Sequence, residues 1–163
     1  MHNEGLAFAL VSLLLLAVIA VIFVTAILFC CSVRKTMSHV PEEKRQFPNW
    51  FIWMTLIPMV NFIFAWMIFP FGIPNGLKNT VGDNPDAQKR VLTLRQLGWS
   101  LQILATINFI FSFFFRLLNV QQWDAKTAVI ISLGLLLVII ASILWTVYWV
   151  KIVNFRKLYF KNL

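Results

Sequence analysis

Apolar residues in this chain fall into four long blocks, 6–31, 50–73, 97–118 and 128–150, separated by shorter polar stretches. A helix needs roughly 20 apolar residues to cross the hydrocarbon core of a bilayer, so each block predicts a membrane-embedded helix. The first and fourth are almost free of polar residues and read as spanning helices. The first is too long for the apolar part of a cleaved signal sequence, and no Lys or Arg precedes it. The second block is different because Pro58, Asn61 and Pro70 interrupt it. Proline removes a backbone donor and clashes with the turn before it, and in lipid the freed carbonyl must find a partner inside the protein. The pattern therefore predicts an all-α integral membrane protein, one domain over 1–163, with four membrane-embedded helices. The second (50–73), broken at Pro58 and Pro70, is either kinked or re-entrant.

The polar stretches carry their own signals. Between Ser32 and Asn49, Pro41 followed by Glu42 and Glu43 reads as a helix start. From Gly72 to Gln96 runs the longest polar stretch, in which Asn84 is placed to cap a helix whose first residue is Pro85. That helix should continue into the third block, with Gly98 weakening it without breaking it. The tail from Lys151 to Leu163 alternates basic and apolar residues, which suits a segment lying on a membrane surface.

Composition agrees with the pattern. Of the residues, 60% are hydrophobic and 12% charged, against about 25% charged in soluble domains. The net charge of +8 would suggest nucleic acid for a soluble protein. Here the basic residues flank apolar blocks, which points to anionic headgroups at the basic loops and not to nucleic acid. Cys30 and Cys31 are neighbours at the end of the first block and read as small apolar residues, not as a disulfide.

Charge also bears on topology. If all four blocks cross, the stretches 72–96 and 151–163 share a side with eight basic residues, and the opposite side holds five, or six with Arg116. If the second block enters and leaves on one face, twelve basic residues share that face and only Arg116 and Lys126 oppose them. The second arrangement is a far sharper positive-inside bias. Trp50 and Trp66 are spaced so that they also fit opposite interfaces of one straight helix, so both arrangements stand.

Candidate chemistry is sparse. All six acidic residues lie outside the blocks, and His2 and His39 are far apart. Neither a carboxylate pair for acid–base work nor a metal-binding spacing is present, so no enzyme, metal or cofactor is expected. The third block carries an intramembrane polar set, Gln102, Thr106, Asn108, Ser112 and Arg116, within about half the helix circumference. Together with Asn61 it forms a candidate polar site, suited to interhelical packing or to a small polar pathway. Trp50, Trp53, Trp145, Tyr148 and Trp149 read as interfacial anchors.

Three stretches, Val33–Met37 with Pro41–Arg45, Leu56–Phe62, and Trp145–Ile152, give the chain a resemblance to a family of small uncharacterised bacterial polytopic membrane proteins. The shared elements are an Ile-Pro-x-x-Asn second segment and a Tyr-Trp-basic C-terminal ending. The resemblance implies a bacterial inner (cytoplasmic) membrane and carries no activity with it. The function expected is a small non-enzymatic polytopic protein, an accessory or self-associating component of a membrane assembly, as a homo-oligomer or within a larger complex. Alternatives are a small transporter or channel subunit with a polar path along 97–118, and an immunity or stress-response membrane factor.

Overall fold

The computed structural model describes residues 2–117 and 125–160, with side chains over 9–57, 60–114 and 127–160. Among the described residues are five α-helices: α1 (His2–Met37), α2 (Pro58–Met67), α3 (Ile73–Val81), α4 (Pro85–Leu117) and α5 (Ala125–Tyr159). No strand occurs among the described residues. Four helical stretches, Ala9–Met37, Val60–Val81, Pro85–Phe114 and Thr127–Tyr159, are long and apolar enough to cross a membrane. The chain is an all-α polytopic membrane protein.

Contacts fix how the helices run. Phe29 of α1 stacks near Trp145 and Trp149 of α5, and His39, just past α1, stacks on Phe160. Both pairs advance along their helices in the same direction, so α1 and α5 are parallel. Against α4, α5 is antiparallel: Gly98 and Tyr148 meet the same carbonyl at Phe69, while Phe111 lies against Gly134.

The second block folds as a hairpin whose two limbs lie side by side. Its first limb, Asn49–Leu56, is a 3-10 helix, and its second is α2 followed by α3. Phe51 packs on Phe64 with ring centroids 5.1 Å apart, and Phe47 fills the space beside Gly72. The limbs therefore run antiparallel and reverse at Ile57–Pro58, where Ile57 is extended (φ −86°, ψ 112°) and Pro58 opens α2. Pro suits that first position, because the donor it lacks would have no helical partner there. Eight residues of 3-10 helix rise about 16 Å, half the roughly 30 Å hydrocarbon core, so the first limb is too short to cross.

Both feet of the hairpin stand at the end of the bundle where α1 finishes. Asn75 Nδ2 donates to Gln46 Oε1 at 3.2 Å, Asn79 Nδ2 to the Lys44 carbonyl at 3.5 Å, and Gly76 faces Met37. Of the two arrangements left open by the sequence, the packing is the re-entrant one. The most apolar 18 residues within Val60–Val81 are 50% buried, against 6–17% for the corresponding parts of the other three. That is where irregular backbone is tolerated at membrane depth, inside protein and away from lipid.

Several expectations are corrected. The stretch 72–96 is not a long polar loop: α3 continues to Val81, and only Gly82, Asp83 and Asn84 join it to α4. Gly82 has φ +59°, a conformation L side chains rarely adopt. Asn84 caps α4 as expected, its Oδ1 accepting from the Asp86 and Ala87 amides at 3.1 Å each. The tail does not lie apart on a surface, because α5 extends to Tyr159 and buries Ile152 and Phe155, with Phe160 beyond it. Glu42–Lys44 forms one 3-10 turn, not the start of a longer helix. Pro70 does not break the helix. It sits buried in a π-helical turn, Ile68–Gly72, which shifts the pairing by one residue so that the Ile73 amide donates to the Ile68 carbonyl.

The core lies at the end of the bundle that carries the feet. It is built by Phe29, Val33 and Met37 of α1, Ile73 and Leu77 of α3, Val91 and Leu94 of α4, and Tyr148, Ile152 and Phe155 of α5. In α4 and α5 these recur at three- and four-residue spacing, the stripe a packed helix requires. At the other end α1 leaves the bundle, and its large apolar side chains from Leu10 to Val24 are 49–68% exposed.

Candidate functional site

Two places concentrate polar or irregular structure. The first is the π-helical turn in the core. With the Ile73 amide committed to Ile68, the next π-register donor for the Phe69 carbonyl would be residue 74, which is Pro74 and has none. The Tyr148 hydroxyl supplies the missing hydrogen bond at 2.9 Å, fully buried. α4 comes close at the same point, since a Cβ on Gly98 would fall 2.5 Å from the Phe69 oxygen and 2.9 Å from the Pro70 nitrogen. Gly98 is there for backbone approach. Tyr148, expected at the interface, is instead the buried tie between α5 and the hairpin. Trp145 and Trp149 are half-buried against Phe29, Trp53 is half-buried, and only Trp50 of the five expected anchors is exposed.

The second place is a pocket of about 650 Å³ at the basic end, lined by Arg34, Glu42, Arg45, Asn49, Trp50 and Trp53 among others. The 3-10 limb explains how it is built. With three residues per turn, side chains at i and i+3 eclipse, giving the limb three faces. Ile52 and Thr55 of one face turn to α1, where the Ile52 carbonyl and Thr55 hydroxyl lie 3.8 and 3.6 Å from the buried Cys30 sulfur. Phe51 of the second face packs on α2. Trp50 and Trp53, on the third, line the pocket with Asn49. Arg45 forms one wall, its Nε donating to the Val40 carbonyl at 2.7 Å and Nη2 to the Ser38 carbonyl at 3.3 Å. Those bonds cover carbonyls just past the end of α1. The exposed Glu42 carboxylate is 3.5 Å from Arg45 Nη1, a pair that contributes little in water.

The polar set proposed on the third block is only partly assembled. Gln102 is buried, and Thr106, half-buried, donates its hydroxyl to the Gln102 carbonyl at 2.8 Å. Asn108 is half-buried and Ser112 exposed. Ser112 shares the buried meridian of α4 with Gly98 and Leu101, yet lies where the bundle has opened. Asn61 is exposed on α2, and its neighbour Phe62 packs on Phe109. Among the described side chains of this set, the Thr106 hydrogen bond is the one that joins two members. The side chain of Arg116 lies outside the described residues, as does the link at 118–124. Pro58 opens α2 at the reversal, and Asn61 lies in the first turn that follows.

Among the described residues, no group of three or more His, Cys, Asp or Glu is placed to hold a metal ion. Sequence reasoning missed the pocket. Its signal was a period of three, Asn49–Ile52–Thr55 beside Trp50–Trp53, inside a block read only for its apolar length.

Architecture and site define a small polytopic helical membrane protein with a hairpin closed at one end of its bundle. Comparison with protein-family models, curated proteins and solved structures found no match.

Proposed function

We propose that the chain is a non-enzymatic accessory component of a membrane assembly, joined to its own copies or to a larger complex through α1. The observation that carries this reading is the exposure of α1. It is held by the bundle only from about Phe29 onward, and from Leu10 to Val24 its large apolar side chains are open on every face. At 1.5 Å per residue that is over 20 Å of helix available to neighbours inside the bilayer. The contact surface is thus α1, because α4 and α5 each keep one face against the rest of the bundle, whereas this part of α1 has none.

The basic end faces the cytoplasm of a bacterial inner membrane in this proposal. Eleven described basic residues, from Arg34 to Lys157, lie at the end where α1 and α5 finish and the hairpin stands. That bias and the family resemblance support the placement. The N-terminus of α1 is then on the far side.

The test is cross-linking of Ile19→Cys, in a background with Cys30 and Cys31 replaced by Ala, in native membranes, with the mass of the complex measured after mild-detergent extraction. An adduct with a second copy or with one co-extracted membrane protein is expected. Monomer alone in both measurements would overturn the proposal.

A further inference from the structure

We propose that the pocket between the end of α1 and the 3-10 limb binds the headgroup of one anionic glycerophospholipid, with Arg34 and Arg45 on the phosphodiester. Four observations converge on it. The pocket, about 650 Å³, sits where the apolar run of α1 gives way to Arg34, the level of the membrane surface. Arg34 is exposed on the last turn of α1 and makes no ion pair among the described residues. Arg45 is held rigidly by the Val40 and Ser38 carbonyls, and these bonds use only part of its five-donor fork. A guanidinium fixed in this way loses little freedom on taking a phosphate, and guanidinium–phosphate bonds are among the stronger hydrogen bonds.

The fourth observation is an unpaired polar atom. Asn49 lines the pocket and its Oδ1 is buried with no hydrogen-bond partner. Buried acceptors are rarely left this way, so the atom calls for a donor. A turn of the half-buried Asn49 side chain into the pocket lets a glycerol headgroup supply one as a hydroxyl, while the adjacent phosphate meets the arginines. Trp50 and Trp53, an exposed and a half-buried ring one 3-10 turn apart, provide the amphipathic wall along which the lipid passes from headgroup to acyl chain. Glu42 competes for Arg45 only as an exposed partner and yields to a phosphate. Phosphatidylglycerol fits this donor and acceptor set, and phosphatidylcholine, whose headgroup has no donor, does not.

The inference rests on the basic end lying at a membrane surface, and not on association through α1. A monomer that still selects phosphatidylglycerol would separate the two. The experiment uses the full chain in maltoside micelles, with tryptophan fluorescence quenched by acyl-dibrominated phosphatidylglycerol or phosphatidylcholine. Phosphatidylglycerol should produce a saturating component at about tenfold lower mole fraction, the effect of one charge-assisted hydrogen bond. Trp53→Phe should reduce that component, and Arg34→Gln should abolish the preference. Asn49→Ala, which removes an acceptor unpaired in the free protein, should weaken the preference while leaving thermal stability unchanged. Superimposed titrations of the two lipids, or a preference that survives Arg34→Gln, would overturn the assignment. Displacement of the component by inorganic phosphate or glycerol phosphate at matched ionic strength would also overturn it, in favour of a free phosphate.

Discussion

Tyr148, Phe69 and Gly98 form a close junction of three elements, and each is there for a different reason. The π-helical register together with Pro74 leaves the Phe69 carbonyl without a helical donor, and the Tyr148 hydroxyl provides one at 2.9 Å. Tyr148→Phe keeps the ring and orphans the carbonyl. A buried unsatisfied group costs about 1–3 kcal/mol, so unfolding in an SDS titration should shift to lower denaturant by about that amount with helix content retained. An unchanged midpoint would mean the carbonyl finds another donor. Gly98→Ala separates packing from propensity, since alanine favours an isolated helix by about 1 kcal/mol over glycine. Here the added methyl meets the backbone of Phe69 and Pro70. Overpacking of this kind costs about 1–3 kcal/mol, so the variant should be net destabilised in the same titration, and a gain in stability would contradict the close approach.

At the level of elements, the hairpin is the part most legible in some respects and least in others. Pro58 marked the reversal because it fits only the first turn of a helix, and Asn84–Pro85 marked the start of α4 through capping alone. Both are local signals and both hold. Pro70 carried the same local signal as Pro58 and the opposite outcome. A π-helical turn absorbed it, which depends on Gly98 and Tyr148 arriving from distant parts of the chain. α3 was hidden because Asn75, Lys78, Asn79 and Thr80 read as a loop. Asn75, Lys78 and Asn79 occupy its outer side, while Ile73, Gly76 and Leu77 face Met37 and the core, with the half-buried Thr80 above them. The pocket was hidden for a related reason: an apolar block was judged by length, and the threefold period of the 3-10 limb lies below that scale. Tyr148 was misplaced because aromatic residues near a helix end suit an interface equally well.

For the whole molecule, the re-entrant hairpin turns an even spread of charge into a one-sided one. With both feet of the hairpin at one end, the eleven described basic residues from Arg34 to Lys157 gather at that end of the bundle. The same geometry gathers the protein core, the pocket and the close α3–α4 turn at that side, and leaves α1 exposed from Leu10 to Val24. Proposed assembly through α1 and lipid capture beside Arg34 are therefore functions of opposite halves of one helix. Everything depends on both feet of the hairpin emerging together, as the Asn75–Gln46 and Asn79–Lys44 contacts require. The direct measurement is labelling of Ser38→Cys and Asn79→Cys, each in the Cys30→Ala, Cys31→Ala background, by a membrane-impermeant maleimide applied to sealed vesicles of defined orientation. Labelling of both from the same side is the predicted result; labelling of the two from opposite sides would contradict the re-entrant fold.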